Sequence, residues 1–253
     1  MTRPKEPKIV KNWQMYTLKK ARVEGIPGDS MERETFVRNA IEEFHTELKN
    51  AIATEQTLRA IGKQREGVRP GSQQMFDAAP NFWRVVGYGL FSSSISTVAR
   101  MFDNKQGHGL QWCLGVCFRC CDVFTRDATI VRINGARDLQ SYIAPDEKYF
   151  EELYQATKPC WDYFYSHFLP IRNNWIAHRI LADSESASRL AEKFEDADVD
   201  AFFGRLAQLD RVLRQCFHCG IKSSVKMLDE PANFSTAMKD ETDKLFSLMV
   251  DAT

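Results

Sequence analysis

Hydrophobic positions in this chain recur at three- and four-residue steps, with no sustained alternation of the kind a half-buried strand would show. From Ser30 onward, Phe36, Val37, Ala40, Ile41, Phe44, Leu48 and Ile52 form one apolar stripe, as in a helix that buries a single face. The stripe predicts a helix from Ser30 to about residue 61, with Ser30 as N-cap and Glu32 to Glu34 set against the positive end of the helix dipole. The run "NFWRVVGYGLFSSSISTVARMFD" (81–103) is apolar nearly all round. It predicts a central helix whose serines bond back to helix carbonyls. A third helical run covers 110–124, and 125–146 reads as irregular. Asp146 is placed to cap a run from Glu147, which Pro159 kinks or divides and Pro170 ends. A further helix is expected to start there, with Pro170 in its first turn. Asp198 or Asp200 opens another, striped by Phe202, Leu206, Leu209 and Leu213, and a last helix is expected at about 234–250.

The pattern therefore predicts an all-α bundle of five or six main helices. Residues 1–29 read as an N-terminal arm with little core of its own, 30–220 as the bundle, and 221–253 as a C-terminal helical extension.

Composition narrows the classes of function. With 43% hydrophobic residues and 11% aromatics in 253 residues, the chain can bury a sizeable core. Lys+Arg and Asp+Glu balance at 34 each, so no global field draws it to nucleic acid and any such site must be a local patch. There is no secretory signal and no stretch of the ~20 apolar residues a membrane span needs, so a soluble, cytoplasmic protein is expected. Seven cysteines without a secretion signal argue against a disulfide framework. "CLGVCFRCC" and "CFHC" offer two C-x-x-C pairs that a tetrahedral zinc could use. Both lie inside apolar helical runs without turn glycines, so they read as small core residues and no metal is expected.

The chemistry-bearing stretch is "FLPIRNNWIAHRIL" (168–181), which crowds Arg172, Asn173, Asn174 and His178 into an apolar run. On an ideal helix of about 100° per residue, His178 falls within about 20° of Ile171, in the apolar face, and Asn174 lies one turn before it. A histidine so placed is satisfied by local hydrogen bonds in most cores. A metal site would need partners at ligand spacing, and only His167 is near. The third reading is acid–base work on a phosphodiester: imidazole moves a proton near neutrality, arginine holds a phosphate oxygen, and an amide orients the group.

Arg172–Asn173–Asn174–Trp175–Ile176–Ala177–His178 resembles the signature of HEPN-superfamily ribonucleases, an Arg followed by a polar residue with a His after four to six intervening positions. The setting, with "ISTVARMFD" on an earlier helix, resembles the AbiU-type abortive-infection branch, over roughly residues 30–220. The resemblance implies a helical bundle paired two-fold, with a composite active site in the cleft between copies. It implies cofactor-free, metal-independent cleavage of RNA to a 2′,3′-cyclic phosphate, in phage defence or a toxin–antitoxin system with a possible antitoxin partner. His178 would move the proton, Arg172 would stabilise charge on the phosphate, and Asn173 would orient substrate or His178. By ideal-helix arithmetic Arg172 lies about 120° from His178. A distorted turn after Pro170, or Arg172 supplied by the partner chain, would bring them together. Asp103, ending the "ARMFD" run, is expected to face its loop and stays outside the catalytic set. His45, His108, His167 and His218 have no comparable company in sequence. The rival reading is a non-catalytic RNA-binding or scaffolding protein of a defence operon.

Overall fold

The structure, a computed structural model, describes residues 17–65, 72–103, 109–133, 142–173 and 194–229. Of these, 82% are helical and none is in a strand, so the all-α class holds. Among the described residues no helix is long and apolar enough to cross a membrane.

Helix α1 (Ser30–Arg65) is the spine, roughly 54 Å long at 1.5 Å per residue. Its cap is Asp29 rather than Ser30, since Asp29 Oδ1 accepts from the N–H groups of Met31 (2.8 Å) and Glu32 (3.1 Å). The carboxylate stands one residue ahead of the serine and takes the orphan donors first, so Ser30 falls inside the helix. The predicted stripe is the buried face: Val37, Ala40, Ile41, Phe44 and Leu48 are all inside.

After α2 (Ser72–Ala78), α3 (Pro80–Met101) runs back along α1. The cross-links Ser94–Glu55 (3.3 Å) and Arg100–Glu47 (2.9 Å) descend along α1 as they climb α3, which makes the pair antiparallel. Only the second half of α3 is central. Ile95, Val98, Ala99 and Met101 are buried, whereas Phe82, Val85 and Tyr88 are 58%, 66% and 50% exposed. The first half packs with the end of α1 and the short α2, around a satellite core of Ile61 and Phe76. An all-round apolar run thus did not mean an all-round buried helix.

Helix α4 (Leu110–Arg119) lies across α1 and is buried on nearly every side. The stretch expected to be irregular contains α5 (Arg126–Arg132), capped by the Thr125 hydroxyl. A seven-residue helix is too short to show a stripe. Arg132 of α5 donates to the carbonyls of Phe217 (2.7 Å) and Val123 (3.0 Å) and lies over the Phe217 ring. Asp146 caps α6 (Glu147–Ala156) as expected, accepting from Tyr149 N–H at 2.9 Å.

The last long helix, here α9 (Asp196–Cys219), starts two residues before the earlier of the expected aspartates and ends at Gly220 in the left-handed region, φ 64°. Its stripe of Phe202, Leu206, Leu209 and Leu213 is buried. From Thr17 the arm packs on the bundle. Leu18 and Ala21 are buried, and Leu18 N–H donates to Glu151 Oε2 at 2.9 Å. Arg119 Nη2 donates to the carbonyls of Lys19 and Ala21 at 3.1 Å each. Gly115 makes this possible, because a Cβ there would stand 2.9 Å from Ala21 Cβ and 3.0 Å from Val23 Cγ2.

Candidate functional site

The helix bearing the predicted motif begins as α7 (Lys158–Tyr163), with Pro159 in its first turn. It continues as a π-helical stretch, Phe164–Phe168, and returns to α geometry in α8 (Leu169–Ile171). Every joint is helical: φ/ψ is −56°/−49° at Phe164, −62°/−42° at Leu169 and −52°/−49° at Arg172. Pro170 therefore does not separate two helices, as the sequence suggested. In an ordinary α-helix its ring would collide with the carbonyl four residues back. Here the Leu169 N–H bonds to the Phe164 carbonyl, five residues back, and the widened turn admits the ring. Ser166, one turn before Pro170, donates its hydroxyl to the Asp162 carbonyl at 2.7 Å.

An aromatic hub fixes this helix. Phe102, at the end of α3, stacks on Phe164 with centroids 4.8 Å apart and planes at 13°, and meets Trp161 edge-on at 4.7 Å. Phe168 packs on Phe202 at 5.1 Å, and Ile171 is buried. Immediately after Ile171 the chain turns π-helical again at Arg172 and Asn173. Arg172 is half-buried and Asn173 exposed. Among the described residues Arg172 has no hydrogen-bond or ion-pair partner, unlike Arg59, Arg100, Arg119 and Arg132. Of the predicted set, Arg172 and Asn173 stand side by side at this turn. Asn174, Trp175 and His178 lie outside the described residues. Asp103 follows the hub residue Phe102 and is half-buried.

Sequence reasoning passed over three histidines that do have company; His167 stacks on Tyr163 with centroids 4.2 Å apart and lies 2.8 Å from Ser166 Oγ. His45 Nδ1 lies 2.9 Å from Asp210 Oδ2, and Arg214 Nη1 lies 3.4 Å from His45 Nε2. One turn away His218 Nε2 meets Glu42 Oε1 at 3.0 Å. Burial pushes the Asp210 carboxyl above its ordinary value, against the pull of His45 and Arg214. With both ring nitrogens engaged, His45 serves as a polar clasp between α1 and α9. The signal was in the stripes: His45 sits four after Ile41 and three before Leu48, and Asp210 four after Leu206 and three before Leu213.

Cys113, Cys117, Cys120 and Cys216 are buried, and Cys117 is held well above the usual thiol value by its hydrogen bond with Cys113 and by burial. Among the described residues no group of three or more His, Cys, Asp or Glu is placed to hold a metal. A cleft of about 1130 Å³ opens beside Thr17 between α4 and α6 and does not include Arg172. Compared with known proteins, the chain matches no family model, no curated protein and no solved structure.

Proposed function

We propose that this protein is a metal-independent endoribonuclease of the HEPN type, acting as a two-fold dimer in phage defence or a toxin–antitoxin system. The observation that carries the reading is Arg172: a guanidinium without a partner among the described residues, beside the exposed amide of Asn173, on a π-helical turn. Single π turns within α-helices are frequent at functional sites. A half-buried guanidinium with no partner among the described residues has its donors available to a phosphate, which it can hold by paired, charge-assisted hydrogen bonds.

In the proposed reaction the ribose 2′-oxygen attacks the adjacent phosphorus and gives up its proton, and the bond from phosphorus to the 5′-oxygen breaks. The leaving oxygen takes a proton, so the products are a 2′,3′-cyclic phosphate and a 5′-hydroxyl. His178 moves the proton at one of these two oxygens. Arg172 stabilises the charge that builds on the non-bridging oxygens, and Asn173 orients the phosphate or His178. Pairing of two motif helices across the dimer would complete the site.

A non-catalytic RNA-binding or scaffolding role is favoured by a separate observation, the exposed Phe82, Val85 and Tyr88 on α3. The deciding experiment is incubation of transfer and total RNA with the protein in excess EDTA, beside His178→Ala and Arg172→Ala. Cleavage by the parent alone, leaving 2′,3′-cyclic ends, supports the nuclease. Cleavage that survives His178→Ala, or parent protein that leaves RNA intact, sinks it.

A further inference from the structure

We propose that the groove between the last turn of α1, α2 and the first half of α3 binds single-stranded RNA. The groove encloses about 680 Å³, within the size range of small-ligand pockets. One wall carries Leu58, Gly62 and Arg65 of α1, and the other Arg84, Gly87 and Tyr88 of α3.

Three features of these walls point to one class of ligand. The first is charge. Arg65 and Arg84 are exposed and have no hydrogen-bond or ion-pair partner among the described residues. Exposed Lys63 shares the last turn of α1 with Arg65. The groove's carboxylate, Asp77, accepts from Gln73 Nε2 at 3.0 Å. In a chain of zero net charge this is a local positive site rather than part of a general bias. Guanidinium forks match phosphate oxygens in shape as well as charge.

The second feature is the aromatic surface. Tyr88, half exposed, lies one turn after Arg84 on the same helix face. Trp83 and Phe76, both lining the groove, pack on each other with centroids 4.8 Å apart and planes at 54°. The third is open backbone: a Cβ at Gly62 or Gly87 would have nothing within 4 Å. Cations that track phosphates beside rings that stack bases are how single strands are held without sequence preference.

An apolar protein partner would use Phe82 and Val85 as well. Two guanidinium groups within the groove, without partners among the described residues, favour the nucleic acid. The choice of RNA rests on the reading of the Arg172 motif, so the test reads binding and not cleavage. The full chain carrying His178→Ala is titrated against a short, labelled, single-stranded RNA of mixed sequence, and anisotropy is followed over a range of salt.

Arg65→Ser with Arg84→Ser is expected to weaken binding at least about tenfold and to flatten the salt dependence by about 0.7 for each phosphate no longer neutralised. Tyr88→Ala is expected to weaken it about tenfold, and Tyr88→Phe, which keeps the ring, to restore it. Unchanged binding in these variants, or no binding by the parent, overturns the proposal. So does self-association that these substitutions abolish while RNA binding persists, which would make the groove an interface between copies. Groove-dependent binding, together with a parent chain (His178 intact) that cuts no RNA in excess EDTA, would end the nuclease reading and leave this one standing. RNA cleavage by that parent, together with binding unchanged in the groove variants, would do the reverse.

Discussion

His45 and Asp210, 165 residues apart, meet at 2.9 Å across the seam between α1 and α9. Asp210 is almost fully buried, and its second oxygen, Oδ1, has no hydrogen-bond partner among the described residues. Removing the carboxylate would strand His45 Nδ1 and Arg214 in a poorly hydrated seam. Asp210→Ala is expected to cost about 1–3 kcal/mol in urea unfolding near pH 7. Asp210→Asn keeps an acceptor for His45 and should cost less; equal costs would show that a neutral acceptor does not replace the carboxylate, and no cost in either variant would show that the pairing contributes nothing.

The same pair gives a pH signature. Burial raises the folded-state pKa of Asp210 above its ordinary 3.8, so the folded protein binds that proton more tightly than the unfolded chain. Its share of stability is complete below the unfolded value and is lost as pH rises through the folded one. Relative to Asp210→Asn, the parent should therefore lose stability as pH climbs from below 4 toward neutrality. Unfolding curves over that range read the difference, and a parent that gains on the variant would contradict it.

Gly115 admits the arm at a distance no side chain tolerates. Gly115→Ala is expected to destabilise by about 1–3 kcal/mol and to open residues 17–26 to limited proteolysis. Adding Ala21→Gly should return most of that stability. Failure of the rescue would place the effect in α4 itself.

Phe102 touches Trp161, Phe164 and Phe202 at once. Phe102→Ala should cost about 3–5 kcal/mol by thermal or urea melting. Phe102→Leu should cost clearly less. The position also couples the end of α3 to the motif helix, so the proposed RNA cleavage should fall with stability.

The thiols divide by burial. Burial pushes Cys120 to about 11 and Cys160 to about 12, and a protonated, enclosed thiol is a poor nucleophile. Alkylation of the native protein near neutral pH, read by mass spectrometry, should be confined at early times to the half-buried Cys121 and Cys219. All seven cysteines should react after denaturation. Early modification of Cys117 would contradict the packing described.

Helix existence was legible wherever an apolar stripe ran for several turns, as in α1 and α9. It was not legible in α5, which is too short to display a period. The stripe of α3 misled because hydrophobicity records what a helix could bury and not whether neighbours reach it. Pro170 misled because proline reads as a boundary, and the i→i−5 bond that accommodates it leaves no mark in sequence. Arg172 and Asn173 were singled out by residue type and spacing, and the fold adds where they stand: side by side on the helical turn that follows Ile171. The clasp of His45 and Asp210 was written as two polar residues in apolar registers, and only the fold shows that one answers the other.

The docking of the arm on α4 and α6 has a consequence for how the chain is made. Leu18 reaches its place only when Glu151 exists to receive its N–H, so a span of 133 residues must be synthesised first. At cellular rates of translation that is a wait of roughly 7 to 27 seconds. During that time an apolar residue destined for the core is held in the nascent chain without its pocket. The order of assembly here runs against the order of synthesis: a segment made before α4 and α6 settles only once both are there to receive it.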